Sequence, residues 1–142
     1  MHKTYLLDTN ILSEFSKDNP NAQVLEFYKA RKRMCAVSSV TWQELTRGVE
    51  RMPEGRKKKY LQHCMDSFEE VFEVVPYDKF SAQICGEIQA IAEKDGKTLP
   101  YYDSQIAATA ISNGMILVTR NLSDFDFVKE KSFLRVEDWF SA

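Results

Sequence analysis

Short apolar runs alternate with longer stretches of helical spacing from one end of this chain to the other, and no other feature of the sequence limits the fold as tightly. Residues 3–7 read as a buried strand that passes through Asp8, Thr9 and Asn10 into the helical pattern of Ile11, Leu12 and Phe15. Further short strands are expected at 35–37, 73–75 and 116–118, with helices at 21–32, from about residue 40, at 54–70, at 78–94 and at 103–113. The helix that carries Trp42, Leu45, Val49 and Met52 on one stripe is expected to end at Met52-Pro53, because a proline drives the preceding residue out of the helical region. Residues 119–126 read as a polar loop and 133–139 as an edge strand. Strands alternating with helices in this way predict a short, mostly parallel sheet covered on both faces, a three-layer α/β/α sandwich. At 142 residues, one domain spanning 1–142 is the expectation.

Composition enters mainly by exclusion. Hydrophobic residues at 44% and charged residues at 28% argue against a disordered or fibrous chain. No apolar run approaches the roughly 18 residues of a membrane span, and the N-terminus has no basic-then-apolar signal pattern, so a cytoplasmic protein is expected. Cys35, Cys64 and Cys85 are odd in number and irregularly spaced, which suits reduced thiols rather than a disulfide framework or a zinc site. With His2 and His63 the only histidines, any catalysis falls to carboxylates.

In open parallel sheets the functional crevice lies beyond the carboxyl ends of the strands. Asp8 directly follows the first strand, and Asp124 lies in the loop after 116–118. Asn10 is the better-placed helix cap, which leaves Asp8 available for chemistry. Asp103 heads a stripe formed by Ile106, Ala107 and Ala110, where it either caps the helix or holds an ionised ligand position. The small residues Ala107, Ala108 and Ala110 let this helix approach the sheet and bring Asp103 toward Asp8. Glu44 follows Thr41 at capping-box spacing, yet borders the apolar stripe through Leu45. Each acid alone has a structural explanation; their convergence would not. Unit charges about 5 Å apart repel by roughly 3 kcal/mol per pair at an effective dielectric near 20, so four convergent acids without matching Lys or Arg imply a divalent cation. Oxygen-only ligands favour Mg²⁺ or Mn²⁺ over zinc.

Several segments together carry a family pattern: Leu6-Leu7-Asp8-Thr9-Asn10-Ile11-Leu12-Ser13, then Ser39-Val40-Thr41-Trp42-Gln43-Glu44-Leu45 with Gly48, then Asp103-Ser104-Gln105-Ile106-Ala107-Ala108, Val118-Thr119-Arg120-Asn121 with Asp124-Phe125, and the closing Leu134-Arg135-Val136-Glu137-Asp138-Trp139. The sequence resembles PIN-domain proteins, specifically VapC-type toxins of bacterial toxin–antitoxin pairs. That resemblance implies Asp8, Glu44, Asp103 and Asp124 as catalytic metal ligands, with Asp126 competing for the fourth place, and Thr9, Asn10 and Asn121 as polar supports. It implies an endoribonuclease dependent on Mg²⁺ or Mn²⁺, which hydrolyses an RNA phosphodiester to leave a 5′-phosphate and a 3′-hydroxyl and so inhibits translation and growth. Initiator tRNA is the first candidate substrate. A homodimer and a cognate VapB-type antitoxin, whose C-terminal segment fills the catalytic groove, are also implied. Trp42, Met52, Tyr60 and Phe68 would offer that segment apolar contacts, or else belong to the core.

The formal net charge of -2 hides basic clusters, including the run from Arg56 to Lys59. Phosphates need cations outside the acidic centre, and Arg47, Arg51, Arg56, Lys57, Lys58 and Lys59, on the two helices that meet at Pro53, are the expected RNA-binding arm. Two other readings compete. A phosphoacceptor receiver domain needs paired acids after the first strand and a lysine after the last core strand, whereas here Thr9 follows Asp8 and Thr119-Arg120 follow the last core strand. A non-catalytic RNA- or partner-binding module would not need the intact acid set.

Overall fold

The computed structural model describes residues 2–141. Leu6 and Leu7 are both fully buried and leave strand β1 (Tyr5–Leu7) on opposite faces, as strand alternation requires. Two cores result. Leu6 packs with Ala36, Ile106, Ala107, Ala110 and Leu117, while Leu7 packs with Ile11, Leu12, Val24, Val37 and Val118. A strand buried on both faces cannot be an edge, and β1 is the middle strand of a five-stranded sheet ordered β3-β2-β1-β4-β5. The neighbours are β2 (Cys35–Ser38), β3 (Glu73–Val75), β4 (Ile116–Val118) and β5 (Arg135–Glu137), every pairing parallel.

Helices α5 (Lys79–Lys94), α6 (Tyr101–Ser112) and α7 (Asp126–Lys131) cover the Leu6 face through Ile88, Ile106 and Val128. Helices α1 (Thr9–Phe15), α2 (Ala22–Arg31) and α4 (Arg56–Val71) cover the Leu7 face through Ile11, Val24 and Phe68. Helix α3 (Ser39–Glu50) spans the two, with Val40 in the first core and Trp42 and Leu45 against the second. This is the expected three-layer sandwich. Ala107, Ala108 and Ala110 have no exposed surface, so α6 does lie close on the sheet. Gly114 (φ 63) closes α6 in the left-handed conformation, with Met115 N–H returning to the Ala110 carbonyl at 2.9 Å, and the chain enters β4 at once.

Three expectations are corrected. Helix α3 begins at Ser39, because the Ser38 hydroxyl accepts the Thr41 N–H at 3.0 Å; Thr41 is buried inside the helix and no Thr41–Glu44 capping box forms. Helix α6 begins at Tyr101 behind Pro100, whose fixed φ suits a helix entrance, so Asp103 stands in the first turn and is not the cap. Residues 119–126 are not an open loop: Leu122–Phe125 form a 3-10 turn that runs into α7, anchored by buried Phe125 and Val128.

Candidate metal centre

The strand order reverses at β1, since β2 and β3 lie to one side of it and β4 and β5 to the other. A crevice therefore opens where β1 and β4 end side by side. Register pairs Leu7 with Val118, so the next residues, Asp8 and Thr119, meet at the rim, and Asp8 N–H donates to the Val118 carbonyl at 2.9 Å. The pleat turns Asp8 toward the side of Leu6, the side on which α6 packs.

The Asp8 carboxylate is fixed from three directions. Oδ1 accepts the Thr9 N–H at 2.8 Å, which makes Asp8 the N-cap of α1. Oδ2 accepts the Thr119 hydroxyl at 2.8 Å and faces the Asn10 amide at 3.4 Å. The expectation that Asn10 caps the helix and frees Asp8 is thus overturned: a cap at the first residue past the strand reaches the α1 amides, whereas Asn10 already sits within the first turn. Asn10 instead donates to Thr119 Oγ1 at 3.1 Å and accepts the Arg120 N–H at 3.1 Å. Asn121 N–H also donates to Thr119 Oγ1, at 3.2 Å.

Thr119 is the supporting residue that the sequence reading missed. It is fully buried and joins Asp8, Asn10 and Asn121 through one hydroxyl. The signal for it lay in its position one past β4, opposite the residue one past β1.

Glu44 reaches the same place from α3. Because that helix starts at Ser39, Glu44 sits more than a turn inside it, where Oε1 accepts the Thr9 hydroxyl at 2.8 Å. Asp8, Glu44 and Asp103 line one cavity of about 360 Å³, together with Thr9, Asn10 and Asn121. Burial pushes the Asp8 carboxyl up, against the pull of its hydrogen bonds from Thr119 and Thr9, and the Asp124 charge pushes it further. Burial likewise raises Glu44, opposed by the Thr9 hydroxyl and reinforced by Asp8. Asp103 is pushed up to about 6, first by burial and then by the charges of Asp8, Asp124 and Glu44. Asp124 stands exposed on the 3-10 turn outside the cavity lining, yet its charge reaches both Asp8 and Asp103, and that of Asp126 is among the causes for neither.

Among the described residues, no three His, Cys, Asp or Glu side chains stand close enough together to hold a metal ion by themselves. Mg²⁺ keeps several waters and is commonly held by one or two carboxylates plus substrate oxygens, so it needs no dedicated cage. The carboxylates lining the cavity offer hard oxygen donors, and a dication would relieve the burial and like charge that raise Asp103.

A family model described as PIN domain matches residues 5–131. The chain is a PIN-domain protein. Among PIN-domain relatives, the tRNA(fMet)-specific endonuclease VapC of Shigella flexneri is 34% identical over 137 residues, covering 95% of this chain and 97% of that one. In the crystal structure of DNA-bound VapBC from Salmonella typhimurium, a chain 30% identical superposes with a TM-score of 0.84 over 98% of this chain and 99% of its own. The crystal structure of FitAcB from Neisseria gonorrhoeae gives 0.86 at 28% identity, over 98% and 100%.

Against this PIN-domain site, the expected basic arm is dispersed. Lys58 is buried with 7% of its surface exposed, and its ammonium is held by Glu54 at 2.9 Å and by the Glu50 carbonyl at the end of α3 at 3.2 Å. Lys58 therefore closes the α3–α4 corner and has no free face for RNA, which corrects its place in the arm. Arg47, Arg51, Arg56 and Lys59 are exposed but line neither of the two cavities that meet at Glu44. Lys57 borders the second of these, an apolar groove of about 690 Å³ between α1, α3 and α4 that shares Thr9, Ser13, Lys17 and Glu44 with the acidic cavity. Tyr60 and Phe68 line that groove while Trp42 and Met52 do not, and Trp42 and Phe68 pack against the second core.

Proposed function

We propose that this PIN-domain chain, one domain over residues 1–142, is a Mg²⁺- or Mn²⁺-dependent endoribonuclease and the toxin of a toxin–antitoxin pair, with Asp8, Glu44, Asp103 and Asp124 as its catalytic, metal-holding acids. The observation that carries this reading is a single cavity at the strand switch point, lined by three carboxylates whose proton affinity burial raises, with the charge of Asp8 adding to Glu44 and those of Asp8, Asp124 and Glu44 adding to Asp103. When bound, a divalent cation supplies positive charge to the phosphate oxygens in the transition state and makes water more acidic.

The chain's own residues supply position. Thr119, Asn10 and the Thr9 N–H hold Asp8 in one orientation, and the Thr9 hydroxyl holds Glu44. Among the described residues no hydrogen-bond donor lowers the proton affinity of Asp103, so it is the acid best able to adjust to substrate and ion. Asn121 stands at the cavity rim, where its amide orients water or phosphate.

The relatives' names support tRNA as the RNA class. The paired names VapBC and FitAcB support a cognate VapB-type antitoxin; in this reading the C-terminal segment of that antitoxin fills the catalytic groove and the toxin acts as a homodimer. A cytoplasmic site of action is consistent with the described helices, none of which is long and apolar enough to cross a membrane. The test is cleavage of bulk tRNA by the purified chain with Mg²⁺ or Mn²⁺. Products should carry 5′-phosphate and 3′-hydroxyl ends, and Asp8→Asn should abolish them while remaining folded. Cyclic-phosphate ends, or cleavage that persists in chelator, would refute it.

A further inference from the structure

An acidic cavity repels the phosphates it is meant to cut, so some cation has to offset it at close range. Two cations border the 360 Å³ cavity directly, Lys17 and Arg120, which corrects the expectation of acids without a matching Lys or Arg, and neither belongs to the α3–α4 arm. They arrive from separate elements: Lys17 lies just past α1 and Arg120 is the second residue past β4.

Both are held in place by contacts that leave donors available. The Arg120 N–H is tied to Asn10 Oδ1 at 3.1 Å, and its guanidinium lies over the Phe140 ring with its central carbon 4.6 Å from the centroid. This cation–π contact holds the guanidinium beside the ring, and among the described residues its N–H groups make no hydrogen bond, so they can meet two oxygens of one phosphate. Among the described residues Arg120 forms no ion pair, although it is the next residue after Thr119. The Lys17 ammonium is 2.8 Å from Glu14 Oε1, and Glu14 is itself held by the Asn21 N–H at 2.8 Å and has only 6% of its side chain exposed. Lys17 stays 56% exposed and borders the apolar groove as well as the acidic cavity.

We propose that Arg120, with Lys17 beside it, grips the RNA phosphate adjoining the one that is cut, and so sets the register of the strand across the carboxylates. This rests on the ribonuclease reading above. Arg120 makes the bidentate contact, because its guanidinium is planar and, although its charge is felt by Glu14, it forms no ion pair among the described residues; Lys17 adds a point charge already paired with Glu14. The outer arginines of α3 and α4 serve at most to attract RNA from a distance.

Steady-state cleavage of bulk tRNA by the full chain, with Mg²⁺, is measured over a series of KCl concentrations. Arg120→Ala should raise KM about 10-fold, leave kcat within about threefold, and reduce the slope of log(kcat/KM) against log[salt] by about 0.7 to 0.9, the loss of one phosphate contact. Lys17→Ala should shift KM less, and Lys129→Ala, on exposed α7 surface, should change neither quantity. Arg120→Lys should restore part of the salt slope but not the full KM, since a lysine cannot bridge two oxygens. If Arg120→Ala proves unstable, Arg120→Gln keeps the stem over Phe140 and must show the same loss of slope. An unchanged KM and slope in these variants, with wild type active, overturns the clamp alone; a wild type that neither binds nor cuts RNA overturns the ribonuclease reading as well.

Discussion

The carboxylates of the site are built in two ways. Asp8 and Glu44, on the β1 and α3 side, are fastened by hydrogen bonds from Thr119, Thr9 and Asn10, and those bonds oppose the effect of burial. Asp103, on the α6 side, has burial and like charge raising it to about 6 and, among the described residues, no donor pulling it back. One half of the site is a fixed template, and the other is a charged group left to be satisfied by something the chain does not itself contain. That asymmetry suits an ion shared with substrate, since a pre-closed cage would not leave room for phosphate oxygens.

The largest effect should come from removing either half's charge. Asp8→Asn and Asp103→Asn are each expected to lower RNA cleavage by on the order of 10³-fold, read as initial rates at saturating Mg²⁺. If Asp103→Asn kept near-normal rates while Asp8→Asn did not, the adjustable half would not be catalytic at all. Next in size is the fastening itself: Thr119→Val keeps shape but removes the hydroxyl, and should cost about 10- to 100-fold in activity or in Mn²⁺ affinity. A Thr119→Ser variant should recover most of that loss, and failure to recover would mean that the threonine matters for packing rather than for its hydrogen bond.

A smaller effect concerns stability with and without metal. At an Mg²⁺ concentration about 100 times its Kd, wild type should gain about 2.7 kcal/mol, several degrees in Tm, and Asp103→Asn should gain less. The smallest is a pH effect in chelator. The folded Asp103 carboxyl titrates near 6 against 3.8 when unfolded, so between those values the native state holds the extra proton. Its contribution to stability is present at low pH and is lost as pH rises toward and past 6. Apo wild type should therefore lose Tm over that window relative to Asp103→Asn, which carries no such charge. Parallel Tm curves for the two proteins would remove the strain on which the comparison depends.

Much of this was legible in the sequence for a physical reason. Strands β3 and β4 fall on the expected residues: β4 is a short apolar run set between Gly114 and a polar segment, and β3, on the exposed sheet edge, is marked by β-branched Val74 and Val75 stopped by Pro76. The acids of the cavity were legible because strand ends and an apolar helix stripe leave a carboxylate little reason to be there. Helix starts were harder. Asn10, Asp103 and Thr41 each satisfied a local capping rule, and each lost to another residue: Asn10 and Thr41 to Asp8 and Ser38, which end β1 and β2, and Asp103 to Pro100, which stands at the entrance of α6. Thr119 was missed since its partner lies 111 residues away in sequence, and only strand register brings the two together. Lys58 looked like its neighbours in the basic run, but one helical turn from Glu54 and beneath the end of α3 it has a structural partner that the others lack. Helix α7 was hidden in a polar stretch whose signal was the i, i+3 pair Phe125 and Val128.

The most direct test of the shared-ion account is a titration of Mn²⁺ into the purified apo chain, following the loss of the free-ion paramagnetic resonance signal, for wild type, Asp8→Asn and Asp103→Asn. The account predicts saturable binding in wild type that weakens at least about tenfold in each variant, although residues 8 and 103 lie on different elements. Equal affinity in all three proteins would contradict it.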